Sequence, residues 1–289
     1  MDTSPIRPLV PEMEARRHLL DGLASLNDLT PEKSAAWNAP YGPREEWDVE
    51  VEDTAVEGPH GLVPVRVYRP GGGGKSSRCL VWCHGGGFIG GDLDMPEAHE
   101  VSRGIVGRTG AVVVSVDYRL CPVPPALGGP TDSPSSEDPA PDDPAHEDPA
   151  HEESAVRFPA PHDDVLAAYR GTRASADQLR IDPTRVALGG ASAGANLAAG
   201  VALHLRDLGD TPWQLLLAYP VVHPVLPEPS AELAEAIALT PYVLRFPPDM
   251  CRVMNENYLG GAIEDAHPYA FAGLSEDLVG FPPSLIDND

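Results

Sequence analysis

The sequence predicts a doubly wound α/β fold built on a mostly parallel sheet, and three observations carry that expectation. Two short, continuous apolar runs, Cys79–Cys83 (CLVWC) and Ala111–Val116 (AVVVSV), have the make-up of central strands covered on both faces. Segments with apolar residues at helical spacing lie between the strand-like runs. The two kinds of segment alternate along the chain, as successive βαβ units require.

In order, residues 11–26 (PEMEARRHLLDGLASL) have helical spacing, with Pro11 near the start. Trp47–Val51 and Val63–Tyr68 read as strands. In the second, Val63, Val65 and Val67 alternate with Pro64, Arg66 and Tyr68, as a strand with one face on a core should. Gly71–Gly74 form a turn. Helices fit 96–109, 162–176 and 194–208, with further short strands at Arg185–Leu188 and Gln214–Tyr219. Residues 228–260 read as two helices, and 282–286 (PPSLI) as the start of a last strand.

The 289 residues suit one domain, 1–289, and a 42% apolar fraction is enough for a sizeable core. No apolar run approaches the roughly 20 residues that span a bilayer, and residues 1–20 have no signal-peptide stretch. The expectation is a soluble, cytoplasmic protein. A formal charge of -24 disfavours nucleic acid and anionic membrane surfaces as partners. Much of that charge is local: residues 128–154 hold nine acidic residues, six prolines, no Lys or Arg, and a twice-repeated Asp-Pro-Ala-His-Glu. Such a segment has too little apolar area to offset its ordering entropy and is expected to be a disordered insertion. Its two histidines, on a tether without fixed geometry, make a poor metal site. Cys79 and Cys83, at about 3.3 Å per strand residue, stand roughly 13 Å apart, too far for a disulfide. With Cys121 and Cys251 they are expected to be buried free thiols.

Chemistry concentrates at two motifs. Gly190-Ala191-Ser192-Ala193-Gly194 matches G-x-S-x-G, with a strand before it and a helix after it. That is the order a nucleophile elbow needs, because a tight turn between small residues pushes the serine hydroxyl out at a helix N-terminus. His84-Gly85-Gly86-Gly87-Phe88 directly follows CLVWC. Consecutive glycines let backbone N–H groups face a ligand, as the oxyanion of acyl transfer requires. His84 sits on the oxyanion side and is read as structural, with Gly87, Gly190 and Gly194 as motif support.

Together these motifs, with VVVSVDYRL and ALGGASAGANLA, resemble successive blocks of the hormone-sensitive-lipase-like esterases, the bacterial family IV lipolytic enzymes. PYVLRFPPDMCRVMNENYLGG and HPYAFAGL…FPPSLI resemble the segments that follow. The resemblance implies an α/β-hydrolase fold with a helical cap from about 1–45 and 222–262. It implies Ser192 as nucleophile, with Gly85, Gly86 and Ala193 as oxyanion donors, acting on small-molecule short-to-medium acyl esters without cofactor or metal. The chain departs from the family at Ala191, where Asp is frequent, and at CPVPPALGG, which opens into the acidic insertion. The resemblance also orders the triad as Ser, Asp, His. It places the Asp just past the strand beginning at Pro282 and the His nearer the C-terminus, so both are expected beyond Asp289, with the C-terminal part of the fold missing. Asp287 and Asp289 fall a few residues early. His204, His223 and His267 are the other candidate bases: His204 is about three helical turns past Ser192, His223 follows a core strand, and His267 reads as a loop residue. Two alternatives stay open: an amidase or deacetylase on the same fold, and a ligand-binding or inactive relative without a working histidine.

Overall fold

A computed structural model describes residues 9–23, 28–74, 76–129 and 155–288. In chain order the elements are α1 (Pro11–Glu14), α2 (Pro31–Trp37), β1 (Val49–Gly58), β2 (Gly61–Pro70), β3 (Cys79–Cys83), α3 (Pro96–Thr109), β4 (Val112–Val116), α4 (Ala160–Ala174), α5 (Ala176–Leu179), β5 (Val186–Ala191), α6 (Ala193–Asp207), β6 (Leu215–Ala218), α7 (Ala231–Leu239), α8 (Pro248–Leu259) and β7 (Ser284–Asp287). Most of the acidic insertion, residues 130–154, lies outside the described residues.

The chain divides into two compact units, Met1–Glu46 with Val225–Cys251, and Trp47–Pro224 with Arg252–Asp289. In the first, the helix expected over 11–26 breaks after α1 and resumes as a 3-10 turn at Arg17–Leu20. The cause is tertiary. The Arg16 guanidinium donates to the carbonyls of Trp37 (3.0 Å), Ala39 and Pro40 (3.1 Å), which overrides helical spacing. Helix α2 escaped the sequence reading, although its start carries a clear signal: Thr30 Oγ1 accepts the Lys33 N–H at 3.3 Å and Pro31 stands at the first helical position. In α7 the Ser230 hydroxyl caps in the same way, accepting from Leu233 at 3.2 Å.

The second unit holds a seven-stranded sheet in the order β1-β2-β4-β3-β5-β6-β7. β2 is antiparallel to β1 and to β4, and the strands from β4 across to β7 run parallel. Period-two alternation explains the layers. Val63, Val65, Val67, Val81, Val114 and Leu188 bury one face of the sheet with Val165 of α4 and Leu197 and Val201 of α6. Tyr68, Leu80, Trp82 and Val113 bury the other face with Val106 of α3. Each such fully buried aliphatic side chain contributes roughly 1.5–3 kcal/mol, so both layers are firmly attached. All four cysteines are free and buried, as expected. Burial pushes the Cys121 thiol up to about 11 and the Cys79 and Cys83 thiols higher still, so they stay protonated. Among the described residues no helix is long and apolar enough to cross a membrane.

From β3 the chain first moves outward to β4, then returns to place β5 on the opposite side of β3. At such a reversal, here the carboxyl ends of β3 and β5, doubly wound sheets form the crevice in which ligands bind.

Candidate active site

Both motifs end at that crevice. β3 and β5 pair in parallel with Trp82 opposite Gly189 and Cys83 opposite Gly190, so His84 and Ala191 leave the sheet at the same level. Ser192 sits between β5 and α6 with φ 51 and ψ -117, a conformation costly for a residue with a Cβ. Its N–H donates to Ala218 O at 2.9 Å and its carbonyl accepts from Asn196 N–H at 3.0 Å, so strand and helix hold the strained residue from both sides. The flanking glycines are required by crowding. A Cβ on Gly190 would stand 2.5 Å from Cys83 O, and one on Gly194 would overlap the carbonyls of Cys83 and His84.

The loop after β3 uses its glycines differently. Gly86 has φ 119 and Gly87 φ 63, both in the region that side chains disfavour. A Cβ on Gly86 would also overlap the Gly90 carbonyl. The loop turns back through hydrogen bonds from Ile89 N–H (3.2 Å) and Gly90 N–H (3.0 Å) to Gly86 O. Phe88, fully buried, anchors it by stacking on Tyr258 at a ring separation of 4.0 Å. His84 is fully buried under the loop; its Nδ1 donates to Gly85 O at 2.7 Å and its ring stacks on Tyr118 at 4.4 Å. The Tyr118 hydroxyl in turn donates to His84 O at 2.8 Å. His84 is thus tied to the start of the loop through both its ring and its carbonyl.

One of the three expected oxyanion donors already has a partner within the protein: the Gly85 N–H donates to Glu97 Oε2 at 2.9 Å. Glu97 stands in the first turn of α3, and its other oxygen accepts the Trp82 indole N–H at 3.1 Å. Burial pushes this carboxyl above its usual range, against the opposing pull of the Gly85 amide, the His84 charge and the Trp82 indole. The N–H groups of Gly86, Gly87 and Ala193 make no hydrogen bond to any described residue. Gly85 is nevertheless at the site: a Cβ built on it would lie 3.5 Å from Ser192 Cβ.

Glu97 was not anticipated, although a glutamate right after Pro96 at a helix start is a visible signal, because carboxylates favour helix N-termini. The Arg119–Asp164 ion pair was also missed. Asp164 is fully buried, accepts the Arg119 N–H at 2.9 Å as well as its guanidinium, and so fixes the segment leaving β4.

The candidate bases do not converge on the serine. His204 stacks on Tyr269 at 4.4 Å and on His162 at 5.3 Å along α6. His267 Nδ1 accepts the Tyr269 N–H at 3.1 Å. The exposed His223 packs its ring against Gly273. Asp287 pairs with Ala218 at the end of β7, and Asp289 lies outside the described residues. Among the described residues none is hydrogen-bonded to the Ser192 hydroxyl.

Comparison with known proteins identifies the fold family. The family model described as alpha/beta hydrolase fold matches residues 80–133 and 154–288. The carboxylic ester hydrolase LipN of Mycobacterium tuberculosis is 34% identical over 211 residues, covering 70% of this chain and 46% of its own. The carboxylesterase NlhH of the same species is 32% identical, covering 83% of this chain and 64% of its own. The chain thus spans between about half and two thirds of the length of these relatives. Among solved structures, a bacterial heroin esterase superposes with a TM-score of 0.69 at 25% identity, covering 97% of this chain and 79% of that one.

Proposed function

The chain belongs to the alpha/beta hydrolase family, and we propose that its site performs the acyl-transfer half of carboxylic ester hydrolysis. Ser192 attacks the ester carbonyl, and the N–H groups of Gly86, Gly87 and Ala193 hold the oxyanion that forms. The observation that supports this reading is the meeting of a strained serine at a helix N-terminus with a glycine loop in which the Gly86 and Gly87 amides make no hydrogen bond to any described residue. A serine hydroxyl needs an adjacent base, and the reading assigns that work in the whole protein to a histidine oriented by a carboxylate. Small-molecule esters of short-to-medium acyl chains are the proposed substrates, and the cytoplasm the proposed location.

The test is labelling with a fluorophosphonate probe, which reports an activated serine. Ser192 is expected to be the labelled residue, and labelling is expected to vanish in Ser192→Ala. Labelling that persists in that variant would sink the assignment. A second reading rests on the lack of any described side chain bonded to the Ser192 hydroxyl: a non-catalytic site that binds acyl compounds. It predicts reversible ester binding with no labelling.

A further inference from the structure

Three successive glycine amides follow β3, and the first of them already has a partner. Gly85 is held on both sides of its Cα, in the peptide unit before it and in the one after it that carries the Gly86 N–H. Its N–H donates to Glu97 Oε2 at 2.9 Å, and its carbonyl accepts from His84 Nδ1 at 2.7 Å. The grip is itself anchored, because Glu97 Oε1 accepts the Trp82 indole N–H at 3.1 Å and Trp82 is buried in β3. Gly85 lies against both Glu97 and Ser192: a Cβ built on that glycine would lie 3.7 Å from Glu97 Oε2 and 3.5 Å from Ser192 Cβ. Immediately beyond this fixed peptide come Gly86 and Gly87, at φ 119 and 63, with N–H groups that have no described partner.

We propose that Glu97 is the positioning residue of the oxyanion loop, withdrawing the Gly85 amide from the donor set and thereby aiming the amides of Gly86 and Gly87 at the anion formed on Ser192. This rests on the reading of Ser192 as nucleophile. The physical case is one of orientation. A glycine peptide can rotate at little steric cost, and preorganised donors contribute to catalysis only if they need not reorganise when charge develops. A carboxylate is the suitable clamp because both of its oxygens accept, and here both face donors. A carboxamide cannot repeat this. In Glu97→Gln the oxygen can still accept from Gly85, but the amide NH₂ then meets the Trp82 N–H, donor against donor.

The experiment uses the full chain with glycines labelled by ¹⁵N, and a fluorophosphonate as the probe of Ser192. In the parent the Gly85 amide is expected to resonate downfield and to move as one carboxyl titrates. In Glu97→Gln that titration disappears, the Gly86 and Gly87 amides shift, and phosphonylation of Ser192 slows at least tenfold with the melting temperature little changed. Glu97→Asp, which keeps the charge on a shorter arm, recovers part of the rate. Phosphonylation within twofold of the parent in Glu97→Gln overturns the proposal. So does a Gly85 amide in the parent that is blind to carboxyl titration, a measurement that stands even if the variant does not fold. If the parent itself is not phosphonylated, the reading of Ser192 fails, and the titration of the Gly85 amide alone judges whether Glu97 holds the loop.

Discussion

The turn after β5 and the loop after β3 are both glycine-rich, both leave a central strand and both face the same crevice, yet their glycines do opposite work. At the elbow, Gly190 and Gly194 are small because other backbone lies against them, and the unusual conformation belongs to Ser192. In the loop after β3 the unusual conformations belong to Gly86 and Gly87 themselves, Gly86 also lying against the Gly90 carbonyl, and the N–H groups of both make no hydrogen bond to any described residue. One segment is shaped by packing and concentrates strain in its reactive residue. The other is shaped by backbone freedom and needs an outside clamp, Glu97, to become specific.

The largest expected effect is therefore at the elbow. Gly194→Ala forces a methyl group into the Cys83 and His84 carbonyls and should cost about 3 kcal/mol, the upper range for overpacking. Gly86→Ala meets the Gly90 carbonyl and a φ of 119, but in an exposed loop that can shift; it should cost less stability than Gly194→Ala but remove Ser192 labelling as completely. Urea unfolding of both variants checks the pair, and equal stability losses would erase the distinction between the segments. A middle-sized effect follows from the strained serine. Ser192→Gly releases strain of about 1–3 kcal/mol against about 0.4–1 kcal/mol for added freedom of the unfolded chain. It should melt roughly 2–4 °C above Ser192→Ala; a lower melting point would mean that Ser192 stores no strain. The smallest effect is electrostatic and confined to the loop. The Glu97 carboxyl is pushed above its ordinary 4.5 chiefly by burial, so the folded state holds its proton more tightly than the unfolded one. The parent then loses a little stability as the pH rises from about 4.5 toward the folded value. Glu97→Gln lacks that loss, so its stability relative to the parent should climb over the same range, as denaturation at a series of pH values would register.

The elbow was legible in the sequence because everything it needs is contiguous: strand, serine and helix follow one another within a few residues of Gly190–Gly194. β3 was read to the residue, since CLVWC is apolar on both faces, and α3 likewise, since Pro96 marks its start. β1 was read too short, at 47–51 instead of 49–58, because VEVEDTAVEG is an exposed edge strand whose partner β2, not its own apolarity, holds it. The distribution of donors among Gly85, Gly86 and Gly87 was not legible. It is decided by a carboxylate twelve positions away, which arrives only when α3 packs on the sheet. The break in the helix over 11–26 has the same origin, in Arg16 reaching carbonyls more than twenty residues downstream.

The pairing of Cys83 with Gly190 has a consequence in time as well as in space. The residues it aligns are about a hundred positions apart in sequence, and closing so long a loop is entropically slow compared with winding a helix. α3 and α6 can form by local contacts, but neither the loop nor the elbow has a partner until β3 and β5 zip together. The strained Ser192 turn is thus assembled by the most distant contact in the sheet's centre, and its appearance during refolding marks completion of the sheet and not its nucleation.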